Sequence, residues 1–575
     1  MAQRTIYTAT LATVLTGLIQ NVDAACKCLF GDRCWPSDQA LASLNNTLSG
    51  NLIRTVPVAA PCYPGPHQDA EACAFIQANF HDSAFHAKFL GGYDFPHEWS
   101  CHVPGRNSST CSLGDTAVYS INATAPAAIS AGLKFAARYN IRVSVKQSGH
   151  DLLGRSSGRG GLLIWTHYLR DDSTKPLEFN KTYVPTESCA SVQLGGASYW
   201  GGSAARIGGG FTWGDVYPAA HENGVVVVGG TCPTVGIIGG YLQGGGHGAA
   251  MHEYGLGSDQ ILEFNVVLAD GSKVLASPCS NPDLFRALRG GGPSTYGIVT
   301  SATVRTYPET PMVALILQII PQEGTDDLDA FLDTITTWYQ QIPALLDEGV
   351  QGYAGWAAWD GKSSLGLPSR MLQQAAGVFN QTLEQVQRTM EPIMDKLTLF
   401  KSRGIDVSLT GLMHHDAEQL PVYQDKNTSA VVDMTGGGAA TKDLPLSGVN
   451  PVFRRALLIN IVSRNWDSLT PYVDIAAAQK DVTYHKGKAQ VAFAPDTGSY
   501  LNEGNWLDTD YLTNQFGAIL PTLEAAKKKY DPTDLFYCPT CVGSQHWKEE
   551  EDGHLCTVKG SWWPFTRPVD WAEEL

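Results

Sequence analysis

Three observations predict an α+β fold in more than one domain. The 575 residues exceed what one ordinary core organises. From about 146 to 300 the chain is rich in glycine and in short β-type segments. From Met312 to about Val491 the texture changes to strands alternating with longer helices. Hydrophobic residues at 43% and charged residues at 17% give a globular composition. The net charge of −16 repels phosphate backbones and argues against nucleic acid as a partner.

The elements follow in order. Arg4, the mildly apolar stretch Thr8 to Ile19 and Val22-Asp23-Ala24 read as a signal peptide over residues 1–24. The apolar stretch is shorter than the roughly 20 residues a bilayer span needs. No later segment is long enough either, so no membrane partner is expected. Residues 25–115 are cysteine-rich and irregular. They hold Cys26, Cys28, Cys34, Cys62, Cys73, Cys101 and Cys111, and Cys538, Cys541 and Cys556 follow near the end. In an exported chain these read as disulfides. The total of 13 is odd, so at least one thiol lacks an intramolecular partner. Sequons at Asn45, Asn107, Asn122, Asn180, Asn380 and Asn427 add an expectation of N-glycans. Secretion is the expected location, with the lumen of a secretory compartment or a vacuole as the alternative.

Thr124-Ala125-Pro126 predicts a helix start, with Thr124 as cap and Pro126 in the first turn. Ile129, Leu133, Ala136 and Ala137 recur at helical spacing, and Ile141 to Val145 is β-type. That step delivers the chain to Lys146-Gln147-Ser148-Gly149-His150-Asp151. A hairpin is predicted around Asp270-Gly271, and a strand over Ile298 to Arg305. Leu383, Val386, Met390, Ile393 and Leu397 share a helix face. A last helix ends at Tyr530-Asp531-Pro532.

Three glycine-rich stretches carry the chemistry: KQSGHDLLGRSS from Lys146, GGTCPTVGIIGGYLQGGGHG from Gly229 and LFRALRGGGPSTYGIVT from Leu284. Glycine permits positive φ and close backbone approach. Successive N–H groups can then cradle an anion such as a pyrophosphate. None of the three fits the strand, G-x-G-x-x-G, helix frame of a nicotinamide site. Gly361-Lys362-Ser363 ends like a P-loop, but Trp356 occupies the place of its first glycine. Cys538-Pro-Thr-Cys541 with His546, His554 and Cys556 suggests zinc, yet no second CxxC pair follows. A disulfide is the expectation there, and no metal site is expected.

The ordered motifs KQSGHD, GGTCPTVGIIGGYLQGGGHG, YGLGSDQILEFNVVLADG, NPDLFRALRGGG and YGIVT resemble the berberine-bridge-enzyme-like group of the vanillyl-alcohol-oxidase (PCMH-type FAD) superfamily. Tyr500-Leu501-Asn502 and KKKYDPTDLFYC resemble the family's C-terminal element. CKCLFGDRCWPS is similar to secreted fungal isoamyl alcohol oxidases. The resemblance implies a PCMH-type FAD-binding domain of two α+β subdomains over 116–308 and an α+β substrate domain over 309–491. It also implies an element at 492–550 returning to the FAD domain, with a tail at 551–575. It implies FAD bonded twice, through an 8α-histidyl link at His150 and a 6-S-cysteinyl link at Cys232. Such a link would account for the odd cysteine. Gly149, Asp151, Ser156, Val235, Gly236, Gly239 and Val299 match positions where the family contacts the cofactor, mostly by backbone. Asn502 matches its cofactor-contacting asparagine, and Tyr500 a tyrosine over the flavin face. As catalytic base, Tyr500 needs a nearby cation, because a free phenol loses its proton only near pH ~10. Trp165-Thr166-His167 reads equally as a strand or as an approach to the flavin.

The implied activity is that of an oxidase acting on CH–OH groups. A small-molecule alcohol would give hydride to FAD, and O2 would reoxidise it to H2O2. Alternatives are an oxidative tailoring enzyme of fungal secondary metabolism (polyketide or alkaloid), a carbohydrate oxidase, and a non-catalytic flavin-binding protein.

Overall fold

The computed structural model describes residues 26–558 apart from 81, 95–100, 102, 104–110, 171–174, 190–198, 358–369, 415–429, 443 and 463–471. The expected leader, Asn107, Asn427 and the end of the tail lie outside the described residues. The architecture is α+β, with three main sheets.

The first sheet has four strands, ordered Leu52–Arg54, Tyr119–Asn122, Leu162–Trp165, Val143–Lys146. Its last two neighbour pairs are parallel. Parallel strands need a crossover. The helix Pro126–Tyr139 supplies it, and its Ile129, Leu133 and Ala136 are fully buried. Pro126 opens it as predicted, but the cap is Ala125 rather than Thr124, with no side-chain cap bond. Asn140 ends the helix in the left-handed region, and the chain turns directly into Val143–Lys146. Ligands of parallel sheets gather beyond the carboxyl ends of the strands. That is where the loop from Gln147 to Asp151 begins.

The second sheet is antiparallel, ordered Leu177–Asn180, Ala204–Gly208, Ile298–Arg305, Ile261–Val267, Lys273–Ala276. The hairpin at Asp270-Gly271 closes as predicted, with Gly271 at φ +79. The third sheet has six antiparallel strands, from Ile405–His414 through Met312–Pro321, Met371–Phe379, Gln351–Ala357 and Ala430–Met434 to Leu458–Val462. The helices Leu328–Asp347 and Leu383–Thr398 pack on it through one core that includes Trp338, Val386, Met390, Ile393 and Leu397.

Six disulfides use twelve of the thirteen cysteines. Cys26–Cys556 joins the two ends of the described chain, beside a bond from the Lys27 N–H to the Leu555 carbonyl. Cys538 and Cys541 bond to each other, as expected in place of zinc. Their neighbours are spoken for: Cys556 pairs with Cys26, His546 with Asp534, and His554 with Asp32 and Asp552. Cys232 is the one free thiol. Among the described residues no helix is long and apolar enough to cross a membrane.

Candidate active site

A cleft of about 1270 Å³, its open mouth included, gathers all eleven residues singled out from the sequence. Gly149, His150, Asp151 and Ser156 come from the first glycine-rich loop, and Cys232, Val235, Gly236 and Gly239 from the second. Val299 comes from the strand Ile298–Arg305, and Tyr500 and Asn502 from the C-terminal element. Thr166 also lines it. Trp165 is a buried strand residue, with the His167 ring stacked on it.

The local folding follows from chemistry. Gly149 sits at φ +84, and a Cβ there would meet the Gly92 carbonyl at 2.7 Å and the Lys146 side chain at 2.6 Å. Asp151 closes the loop behind His150 by accepting from the N–H of Ser156 at 2.7 Å, the Ser156 hydroxyl at 2.8 Å and the N–H of Leu153 at 3.1 Å. Gln147, missed as a site residue, ties two walls together. Its amide donates to the Phe211 carbonyl at 2.7 Å and accepts from the Gly239 N–H at 2.6 Å. A Cβ on Gly236 or Gly239 would strike that amide, so a side chain at either position would displace Gln147 from its bonds between the walls. Cys232 forms a tight turn with Val235, and its sulfur lies 3.2 Å from the Thr234 hydroxyl.

The C-terminal element closes the far wall. A Cβ on Gly244 would strike the Asn502 amide. The Tyr500 hydroxyl accepts from Asn502 Nδ2 at 2.8 Å and from the Gly246 N–H at 3.1 Å. Asn502 Oδ1 accepts from Arg155 at 2.9 Å. Arg155 is therefore the cation that the tyrosine reading required and the sequence did not reveal. It does not win: burial first, then the negative charge of Glu503, holds Tyr500 above the usual phenol range, against Asn502, Gly246 and Arg155. Tyr500 keeps its proton at neutral pH.

A second group went unrecognised in the sequence. His247 Nε2 lies 3.0 Å from Glu503 Oε1 and 3.8 Å from Asp433 Oδ2, and its Nδ1 is 3.3 Å from the Tyr353 hydroxyl. His247, Tyr353 and Glu503 line the cleft. Burial alone would lower His247, but Glu503 and then Asp433 raise it to about 9. Burial pushes Glu503 up, yet the His247 charge and hydrogen bond, with a hydrogen bond from Asp433, leave it below the usual range. Burial and the Glu503 charge push Asp433 well above the usual range. The shifts put positive charge on the imidazole and favour negative charge on Glu503 over Asp433. Three oxygen and nitrogen ligands at this spacing resemble a cation site. His247 and Glu503 are hydrogen-bonded to each other, while Asp433 Oδ2 and Glu503 Oε2 are buried without a hydrogen-bond partner among the described residues. His247 lies within the second glycine-rich stretch and Glu503 directly follows Tyr500-Leu501-Asn502, whereas Tyr353 and Asp433 had no local signal.

The donor set fits FAD. The cleft has glycine walls that side chains would block, a free thiol, an imidazole, and Arg155 with a buried Nη1 lacking a hydrogen-bond partner. Residues 119–277 match a family model described as an FAD binding domain. The chain is 36% identical to the FAD-linked oxidoreductase hmp9 of Hypomyces subiculosus, over 92% of this chain and 90% of hmp9. The chain belongs to the VAO-type flavoproteins. This flavoprotein superposes on the VAO-type flavoprotein MtVAO713 from Myceliophthora thermophila C1 with a TM-score of 0.85 and 33% identity, over 93% of this chain and all of that one. It shares its fold with the glucooligosaccharide oxidase of Acremonium strictum, described with a 6-S-cysteinyl, 8α-N1-histidyl FAD, at a TM-score of 0.55 and 19% identity, over 74% of this chain and 92% of that one. The flavoprotein is an FAD-dependent oxidoreductase.

Proposed function

We propose that this flavoprotein is a secreted alcohol oxidase whose FAD is bonded to both His150 and Cys232. One observation carries the reading. Twelve cysteines are paired, and the thirteenth lines the same glycine-walled cleft as His150. The bicovalent FAD described for the glucooligosaccharide oxidase supports it. FAD supplies a two-electron acceptor that takes hydride from carbon and passes the electrons to O2.

The protein's own residues handle the proton. Oxidising CH–OH to C=O requires a base for the hydroxyl proton as the hydride leaves. Glu503 is the ionised carboxylate on the cleft wall, and it fits that role better than Tyr500. His247 beside Glu503 holds it in its charged form, ready to take one proton. Tyr500, still protonated, orients the alcohol oxygen by hydrogen bonding. The rings of Tyr353, Tyr500 and Phe453 with His247 form an aromatic cluster, which favours an alcohol on an apolar or planar body. The same cluster favours, as a second reading, an oxidative tailoring step on a secondary metabolite.

Six disulfides support an oxidising compartment. Asn180 and Asn380 are exposed and are the best glycan sites, whereas Asn122 Oδ1 is buried. The test is peroxide release under air across primary, secondary and benzylic alcohols and oligosaccharides. Oxidation of one alcohol class with stoichiometric H2O2 is expected. Peroxide from sugars alone would replace this reading with a carbohydrate oxidase, and a yellow protein releasing none would favour a binding protein.

A further inference from the structure

His247 stands where three parts of the chain meet. It belongs to the second glycine-rich stretch, Glu503 to the C-terminal element, and Tyr353 and Asp433 to the third sheet. On that sheet Tyr353 and Asp433 are direct cross-strand partners, so their side chains leave the same face. They reach the imidazole at different nitrogens. The Tyr353 hydroxyl lies 3.3 Å from Nδ1, and Asp433 Oδ2 lies 3.8 Å from Nε2. Glu503 Oε1 is closer to Nε2, at 3.0 Å. The Tyr500 ring packs edge-on against the imidazole at 5.0 Å. The backbone is pinned on both sides. The Tyr241 hydroxyl donates to the His247 carbonyl at 2.8 Å, and the Gly246 N–H donates to the Tyr500 hydroxyl at 3.1 Å. With the backbone fixed, the partners of the two ring nitrogens decide the charge of the imidazole. Glu503 and Asp433 outweigh burial and keep it protonated at neutral pH. An imidazolium carries an N–H on each nitrogen. The Nε2 proton goes to Glu503, and the Tyr353 oxygen stands in the path of the Nδ1 proton. Burial and the Asp433 charge keep the Tyr353 phenol neutral, so its oxygen is there to accept.

We propose that Tyr353 is a positioning residue for the proton-accepting site: its oxygen accepts from His247 Nδ1 and holds the ring as a cation with Nε2 turned to Glu503. This rests on the reading of Glu503 as the base. A neutral imidazole would leave Glu503 and Asp433 facing each other in a buried site with no cation between them. It would also offer a ring nitrogen of its own as a rival acceptor. With both nitrogens protonated, the vacant place for a substrate proton is on Glu503. The groups facing His247 are Glu503 from the C-terminal element, Asp433 and Tyr353 from the third sheet, and Tyr500. Removing the Tyr353 hydroxyl leaves both carboxylates in place and takes away the acceptor at Nδ1.

The test compares the pH dependence of Tm in wild type, Tyr353→Phe and Tyr500→Phe. The readout is the midpoint of the alkaline fall, which a merely structural loss would not move. No substrate enters the measurement. In the wild type the His247 contribution is lost as pH rises through about 9. Tyr353→Phe leaves the Nδ1 proton buried without its acceptor. Its midpoint is expected about one pH unit or more lower, the ordinary worth of a hydrogen bond to a charged group. Tyr500→Phe takes a phenol from the same cluster but no acceptor from the imidazole, and leaves the midpoint in place. A Tyr353→Phe midpoint at the wild-type pH overturns the proposal, as does an equal shift with Tyr500→Phe. If Tyr353→Phe does not accumulate as folded protein, nitrogen NMR of histidine-labelled wild type decides, with His247→Gln to assign the signal. Both imidazole nitrogens protonated at neutral pH is the expected result, and an unprotonated Nδ1 overturns the proposal. An acid limb of kcat that persists in Glu503→Gln would instead refute Glu503 as the base, and the positioning role with it.

Discussion

The two sides of the cleft are built on opposite principles. The cofactor side is mostly backbone: glycines whose missing Cβ atoms make room, and loops closed by Asp151 and Gln147. The substrate side is side-chain chemistry, with His247, Tyr353, Asp433 and Glu503 brought from four separate segments into one cluster. In the proposed reading the first side sets which cofactor is held and the second sets where a substrate proton goes. Variants should therefore separate loading from turnover.

The largest expected effect is on the substrate side. Glu503→Gln preserves shape but removes the base, and kcat should fall by about 10²–10⁴-fold. The covalently held flavin should stay at the wild-type fraction. A parallel loss of flavin and turnover would erase the separation between the two sides.

A smaller effect of the opposite kind is expected from Gly239→Ala. Its Cβ would meet Gln147 Oε1 at 2.5 Å, a clash between packed walls. Overpacking of this sort costs about 1–3 kcal/mol. Flavin occupancy should drop, while turnover per bound flavin stays close to wild type. Occupancy from the visible absorbance ratio and kcat per flavin check this together.

The smallest effect concerns pH and stability. Folding raises His247 to about 9, above its ordinary 6.5, and Glu503 and Asp433 face it. Its stabilisation is complete below the unfolded value and disappears as pH rises through about 9. Wild-type Tm should fall between pH 6.5 and 9.5 by more than that of His247→Gln. Glu503 has the opposite sign. Its value is depressed, so its contribution is present above the ordinary carboxylate range and fades as pH falls through the folded value. Parallel pH–Tm curves for wild type and His247→Gln would contradict the assigned charges.

The same contrast explains what was legible in the sequence. Gly149, His150 and Asp151, like Cys232, Val235, Gly236 and Gly239, lie in contiguous runs whose spacing carries the loop geometry. An anion-cradling cofactor site could be read from them, FAD through the resemblance they carry, and all of these residues line the cleft. The helix at Pro126 was legible from periodicity, but Ala125 rather than Thr124 precedes its first turn, with no side-chain cap bond. Asp433 and Tyr353 are single polar residues on neighbouring strands of the third sheet, with no local signal. Arg155 sat within a quoted motif, yet its contact with Asn502 spans 347 positions. The burial that holds Tyr500 up and the His247 contact that holds Glu503 down are properties of the folded chain and of no motif.

The most direct test of the account is the mass of the flavin-bearing fragment after acid denaturation and proteolysis of the wild-type protein. One flavin joining two peptides, one with His150 and one with Cys232, is the expected result. Flavin released free into the acid supernatant, or attached to a single peptide with Cys232 recovered as an unmodified thiol, would contradict it.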